Sequence, residues 1–136
     1  MAARSKARKR ALDVLYASDL RAENPVAALE RAIADGEGPS NDYTATLVRG
    51  VVEHQAQIDG LLAEYAQGWT LDRMPAVDRN VLRLGVFEVL YADDVPDAVA
   101  VTEAINLVRD LSTDESPAFV NGILGAIVRN KASLTA

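Results

Sequence analysis

The sequence predicts an all-α protein, and three observations predict it. Apolar residues recur every three or four positions along almost the whole chain, and no stretch alternates at period two. The 136 residues, 49% hydrophobic and 25% charged, suffice for one well-buried domain or two small subdomains sharing an interface, but not for two large independent ones. Six helices follow from the pattern, three before residue 68 and three after, which suggests two packed bundles, residues 1–67 and 68–136, joined in one compact domain.

The first helix is expected over about residues 4–22, with Ala7, Ala11, Val14, Leu15 and Ser18 on an inward stripe and Leu12, Tyr16 and Leu20 in a row beside it. Asn24-Pro25 reads as an N-cap followed by a first-turn proline, opening a short helix to about Asp35. The stretch "DGEGPSND" breaks it, and Ser40 to Asp42 offers caps for a long third helix carrying Tyr43, Leu47, Val51, His54, Ile58, Leu61, Leu62 and Tyr65 on one side. Within "GWTLDRMP", Gly68 can end that helix and Pro75 cannot continue it, making this the strongest internal boundary. The fourth helix, about 77–91, is apolar nearly all round, which marks a buried central helix. Its Glu88 then needs a partner, with Arg73 or Arg83 the candidates. A fifth helix starts near Asp97, and a sixth starts at Ser116-Pro117 and buries Val120, Ile123, Leu124 and Ile127.

Several function classes drop out. With no cysteine, there is no disulfide, zinc ribbon or thiol nucleophile. The single histidine, His54, lies on an apolar stripe with nothing to share a metal, so a structural role is expected. The glycines of "DGEGPS" follow a helix and lack a lysine, unlike a phosphate loop, and Asp93, Asp94 and Asp97 are explained by capping. No catalytic residue, metal ligand or cofactor site is expected. Asp13, Asp19 and Arg21 interrupt what would be the apolar part of an export signal, and no apolar run approaches the ~20 residues that span a bilayer. A soluble, cytoplasmic chain without membrane contact is the expectation.

The charge is lopsided. Arg4, Lys6, Arg8, Lys9 and Arg10 fall in the first ten residues with no acidic residue among them, leaving nine basic against all 20 acidic residues elsewhere, a net −11. Cations at a helix N-terminus oppose the macrodipole, whereas a phosphate there is held by the cations and the unpaired backbone N–H groups together. Arg4 and Arg8 stand one turn apart on a face that continues through Leu12 to Tyr16. Guanidinium groups followed by a phenol ring suit single-stranded RNA, although a solvated helix start and core packing of Tyr16 fit the same residues. A second reading is a helical adaptor or homodimer whose basic N-terminus packs on acidic residues of another subunit.

The opening "ARKRALDVLYASDL" resembles the start of the bacterial transcription antitermination factor family NusB in Ala7, Arg8, Ala11, Leu15 and Tyr16. "WTLDRMPAVDRNVLRLGVFEVLYADDVPDAVAVTEAINLVRDLSTDESPAFVNGILGAI" is similar to that family over nearly its whole length, including Leu82-Arg83, Val95-Pro96, Glu103-Ala104 and "FVNGIL" from Phe119. The resemblance implies two perpendicular three-helix bundles of six or seven helices, and binding rather than catalysis. It implies pairing with the ribosomal protein NusE and recognition by the pair of single-stranded boxA RNA in ribosomal transcripts, acting with other antitermination factors on RNA polymerase. It places Arg4, Lys6 and Arg8 on the family's basic RNA-binding segment, which Lys9 and Arg10 extend beyond the usual pattern. Tyr16 falls on its aromatic position, Phe119 beside it, and Asp78 where an acidic residue faces the basic ribosomal partner. The same fold also serves as an accessory domain of ribosomal RNA cytosine methyltransferases, but a free-standing regulator is the expectation here.

Overall fold

The structure is a computed structural model and describes residues 3–135. These form eight α-helices and one 3-10 turn, with no strand among the described residues, so the all-α expectation holds. They divide into two compact units, one ending at His54 and the other beginning at Gln55.

The first unit holds α1 (Ala3–Leu20), α2 (Pro25–Ala34) and α3 (Asp42–Glu53), each packed on the other two. Both later helices start where the sequence puts caps: the Asn24 side chain accepts from the Val26 N–H at 2.8 Å and the Asn41 side chain from the Tyr43 N–H at 2.8 Å. Pro25 fills the first position of α2, where a missing N–H costs nothing. Ala7, Ala11, Leu12 and Leu15 of α1 are buried, as are Leu29, Leu47, Val48 and Val51.

The second unit holds α4 (Gln55–Tyr65), the 3-10 turn Leu71–Arg73, α5 (Ala76–Tyr91), α6 (Asp97–Leu111), α7 (Ser116–Arg129) and the four-residue α8 (Lys131–Leu134). As expected, α5 is the central helix, packed against α4, α6 and α7. It buries Val81, Leu82, Leu84, Val86, Phe87 and Val89, each contributing about 1.5–3 kcal/mol, and Glu88 is buried on the same helix. Arg83 forks onto the Asp59 carboxylate with bonds of 2.8 and 3.0 Å, tying α5 to α4.

Two expectations change. The long third helix is two helices, α3 and α4, separated at His54, whose backbone N–H bonds the carbonyls of Gly50 and Val52 as a C-cap. The apolar stripe continues through this break because Ile58 and Leu62 stay buried, so periodicity alone hides it. The compact units accordingly divide at this break, while the turn at 66–75, expected to be the boundary, lies inside the second unit. The split of the third helix and the short α8 together raise the count from the six helices of the sequence pattern to eight among the described residues.

Gly85 sits where α5 meets α7: an added Cβ would come within 2.7 Å of Leu124 Cδ1, and Leu124 is fully buried. Gly60, in the middle of α4, has nothing within 4 Å of that position. The same Gly→Ala change is therefore expected to act with opposite signs in urea denaturation. Gly60→Ala should stabilise by about 0.5–1 kcal/mol through helix propensity. Gly85→Ala should destabilise by roughly 1 kcal/mol, overpacking of about 1–3 kcal/mol outweighing the same gain. Equal shifts would contradict the packing described.

Candidate nucleic-acid interface

The basic segment lies on the first two turns of α1, which carry no acidic residue in the first turn to offset the helix dipole. Its five cations are used differently. Arg4 is exposed and its guanidinium stacks over the Tyr43 ring, 4.2 Å from the centroid. Arg8 approaches the same ring at 5.7 Å but is only 4% exposed. Lys9 pairs with Asp13 at 2.8 Å, an exposed i,i+4 contact of about 0.3–0.5 kcal/mol that exchanges readily with another anion. Arg10 donates to the Glu37 carbonyl at 3.1 Å and ties the loop after α2 to α1. Lys6 has no hydrogen-bond or ion-pair partner among the described residues and borders an open cleft shared with Ser40 and Asn41.

Tyr43 and Thr44 at the start of α3 hold this segment in place. The Thr44 hydroxyl, buried, donates to the Ala7 carbonyl at 3.0 Å, and the Asn41 amide donates to the Ala3 carbonyl at 3.4 Å. Two guanidinium groups thus share one phenol ring, whose quadrupole attracts each without cancelling their charge. The arrangement favours an anion beside Arg4 and Lys6.

The expected continuous face from Arg4 through Arg8 and Leu12 to Tyr16 is not continuous. Arg8 and Leu12 are buried, and only Arg4 and Tyr16 at its ends reach solvent, Tyr16 being 37% exposed. Arg8 is a packed residue because the α1 face that carries it is the face α3 covers.

Asp78 and Phe119 belong to the second unit, where they line one open cleft of about 400 Å³ together with Trp69, Arg73, Glu115 and Ser116. Asp78, expected to face the ribosomal partner, is 2% exposed, and its two carboxylate oxygens accept from the Ser112 hydroxyl at 2.6 Å and the Ser116 hydroxyl at 2.8 Å. A carboxylate held by two donors is a clamp between the start of α5 and the α6–α7 connection. Ser116, expected to cap α7, turns its hydroxyl to this clamp, and Glu115 occupies the cap position without a side-chain bond.

Phe119, one turn after Ser116, is half-buried, with its ring 6.1 Å from that of Trp69 at 62°. Sequence reasoning missed Trp69 and Arg73 as site residues and Tyr43 as the platform for the arginines. The signal for Trp69 was present: the chain's one tryptophan stands between Gly68 and Pro75, in a turn too short to bury it. Among the described residues, no group of three His, Asp or Glu side chains converges as a metal site, and no helix is long and apolar enough to cross a membrane.

The model of the NusB family matches residues 5–129 of this chain. The chain is 81% identical to the transcription antitermination protein NusB of a Nocardioides species, over 98% of this chain and 99% of that protein. It is 56% identical to the NusB of Kineococcus radiotolerans over the full length of both. Among solved structures it is similar to T. maritima NusB, with TM-score 0.85 and 34% identity over 96% of this chain and 94% of the other. It is also similar to a chain from a crystal structure of the antitermination factors NusB and NusE in complex with dsRNA, with TM-score 0.79 and 32% identity over 93% and 96%.

Arg8 and Asp78 are both buried, so each is expected to contribute to stability. Arg8→Ala is expected to lower unfolding free energy by about 1–2 kcal/mol through lost stacking and packing. Asp78→Ala should lower it by on the order of 2 kcal/mol, since two charge-assisted bonds vanish from a buried site. Urea denaturation checks both; changes within about 0.5 kcal/mol, the range of ordinary surface substitutions, would return these side chains to solvent.

Proposed function

This chain belongs to the NusB family, and from that premise we propose that it is a transcription antitermination factor. It binds single-stranded boxA RNA of ribosomal transcripts together with the ribosomal protein NusE and thereby supports processive transcription, by binding and without catalysis. The observation that carries the RNA part is the placement of Arg4 and Lys6, both exposed on the first turn of an α1 N-terminus that has no acidic residue there, in a chain otherwise strongly acidic. The complex of NusB and NusE with dsRNA, which shares this fold, supports the same reading.

The contacts of the basic segment support a division of labour within it. Arg8 positions α1 and orients Arg4 through their common ring, Arg10 fixes the adjoining loop, and Lys9 becomes available when Asp13 releases it. Arg4 and Lys6, both exposed, make the direct phosphate contacts, with Tyr16 as an exposed ring farther along the helix. Two contacts to single-stranded RNA set a log-affinity slope of about −1.4 against log salt from this segment.

Fluorescence anisotropy with a boxA-type RNA and a scrambled control, with and without NusE, tests this. Selective binding strengthened by NusE is the expected result. Lys6→Ala should weaken it and reduce the salt slope by about 0.7, with an unchanged melting temperature. Equal affinity for both RNAs would overturn the boxA assignment, and an unchanged slope in Lys6→Ala would remove the α1 terminus from the interface.

A further inference from the structure

Two side chains at the head of α3 grip the backbone of α1 from the side, one turn apart. The Asn41 amide donates to the Ala3 carbonyl at 3.4 Å and the Thr44 hydroxyl donates to the Ala7 carbonyl at 3.0 Å. Residues three or four apart stand above one another on a helix, so 41 and 44 meet 3 and 7 as two rungs in register. Arg4 and Lys6, the phosphate contacts proposed above, lie between the two gripped carbonyls.

Neither bond is the default for its residue type. A threonine inside a helix commonly turns its hydroxyl back to the carbonyl four residues earlier, and Thr46 does so, onto Asp42 at 3.3 Å. Thr44 stands in the first turn of α3, where the residue four earlier, Ser40, precedes the helix. Its fully buried hydroxyl is directed to α1 instead. Asn41 uses both ends of its amide: Oδ1 accepts from the Tyr43 N–H as the cap of α3, and Nδ2 reaches α1. One side chain thus links the backbone that presents the Tyr43 ring to the helix whose Arg4 stacks on that ring. Ala7 and Ala11, both buried, are small enough to let α3 come this close.

We infer that Asn41 and Thr44 are positioning residues for RNA binding. They act through α1, holding its first two turns in the helical form that places Arg4 and Lys6. The inference rests on the RNA-binding reading above. A segment fixed before its ligand arrives loses less conformational freedom on binding, so removing the two rungs weakens affinity without removing a phosphate contact. A role in folding alone is the competing account, and the test separates the two.

Amide hydrogen exchange, and anisotropy of a boxA-type single-stranded RNA across a range of salt, would be measured on the same full-length variants. Thr44→Val removes the hydroxyl and Thr44→Ser restores it. Asn41→Ser keeps an oxygen for the α3 cap and removes the amide that reaches Ala3. Circular-dichroism melting sets an assay temperature at which every variant is folded. For Thr44→Val the expected result is faster exchange at the amides of residues 7–11, whose helical acceptors are the carbonyls of residues 3–7. RNA affinity should fall about fivefold with an unchanged salt slope. Thr44→Ser should recover both, and Asn41→Ser should move both in the direction of Thr44→Val. Faster exchange with unchanged affinity would reduce the two rungs to a folding role and overturn the inference. Unchanged exchange would also overturn it, as would a slope smaller by about 0.7, the mark of a lost phosphate contact. Each of these outcomes leaves the RNA-binding reading standing, whereas absence of RNA binding by the wild type would overturn that reading and the inference together.

Discussion

The strip of polar contacts between α1 and α3 is the constraint on which the basic segment depends. Helix termini fray, and five like charges within ten residues, at the wrong end of a helix dipole, should make this one fray more. The Thr44 hydroxyl on the Ala7 carbonyl and the stacking of Arg4 and Arg8 over Tyr43 hold it instead. A cationic segment ordered before a ligand arrives loses less entropy on binding than a disordered tail of the same charge. Burying Arg8 thus anchors the helix start that carries Arg4 and Lys6.

The second unit follows the same logic at its own site. The Asp78 clamp joins the start of α5 to the connection before α7, and Arg79, the next residue, pins the turn that carries Trp69 and Arg73. Adjacent residues on one helix therefore fix both walls of one cleft. An acidic residue at the head of α5 serves here as internal scaffolding, and the rim is left to Arg73 and Glu115.

Much of the fold was legible in the sequence because local chemistry decides it. Asn24-Pro25 and Asn41 cap their helices with their own side chains, and the apolar circumference of α5 required a central position. The break at His54 was not legible: no glycine or proline marks it, and the apolar stripe runs through it. At the site, the cluster of cations was visible but the division of labour within it was not. Arg4 and Arg8 share one face and one ring and differ in burial, and the Tyr43 ring they stack on lies on another helix. Asp78 was visible as an acidic residue at a helix start, but its two donors lie 34 and 38 residues further along the chain. Trp69 was visible as a residue and hidden as a site for the same reason, since its partner Phe119 comes from α7.

The central claim is that this chain binds RNA through the N-terminus of α1. Backbone-amide chemical-shift mapping of the full-length protein, titrated with boxA-type RNA, tests it most directly. The account predicts large shifts at residues 3–10. Shifts concentrated elsewhere, on α2 or the outer face of α6, with residues 3–10 silent, would contradict it.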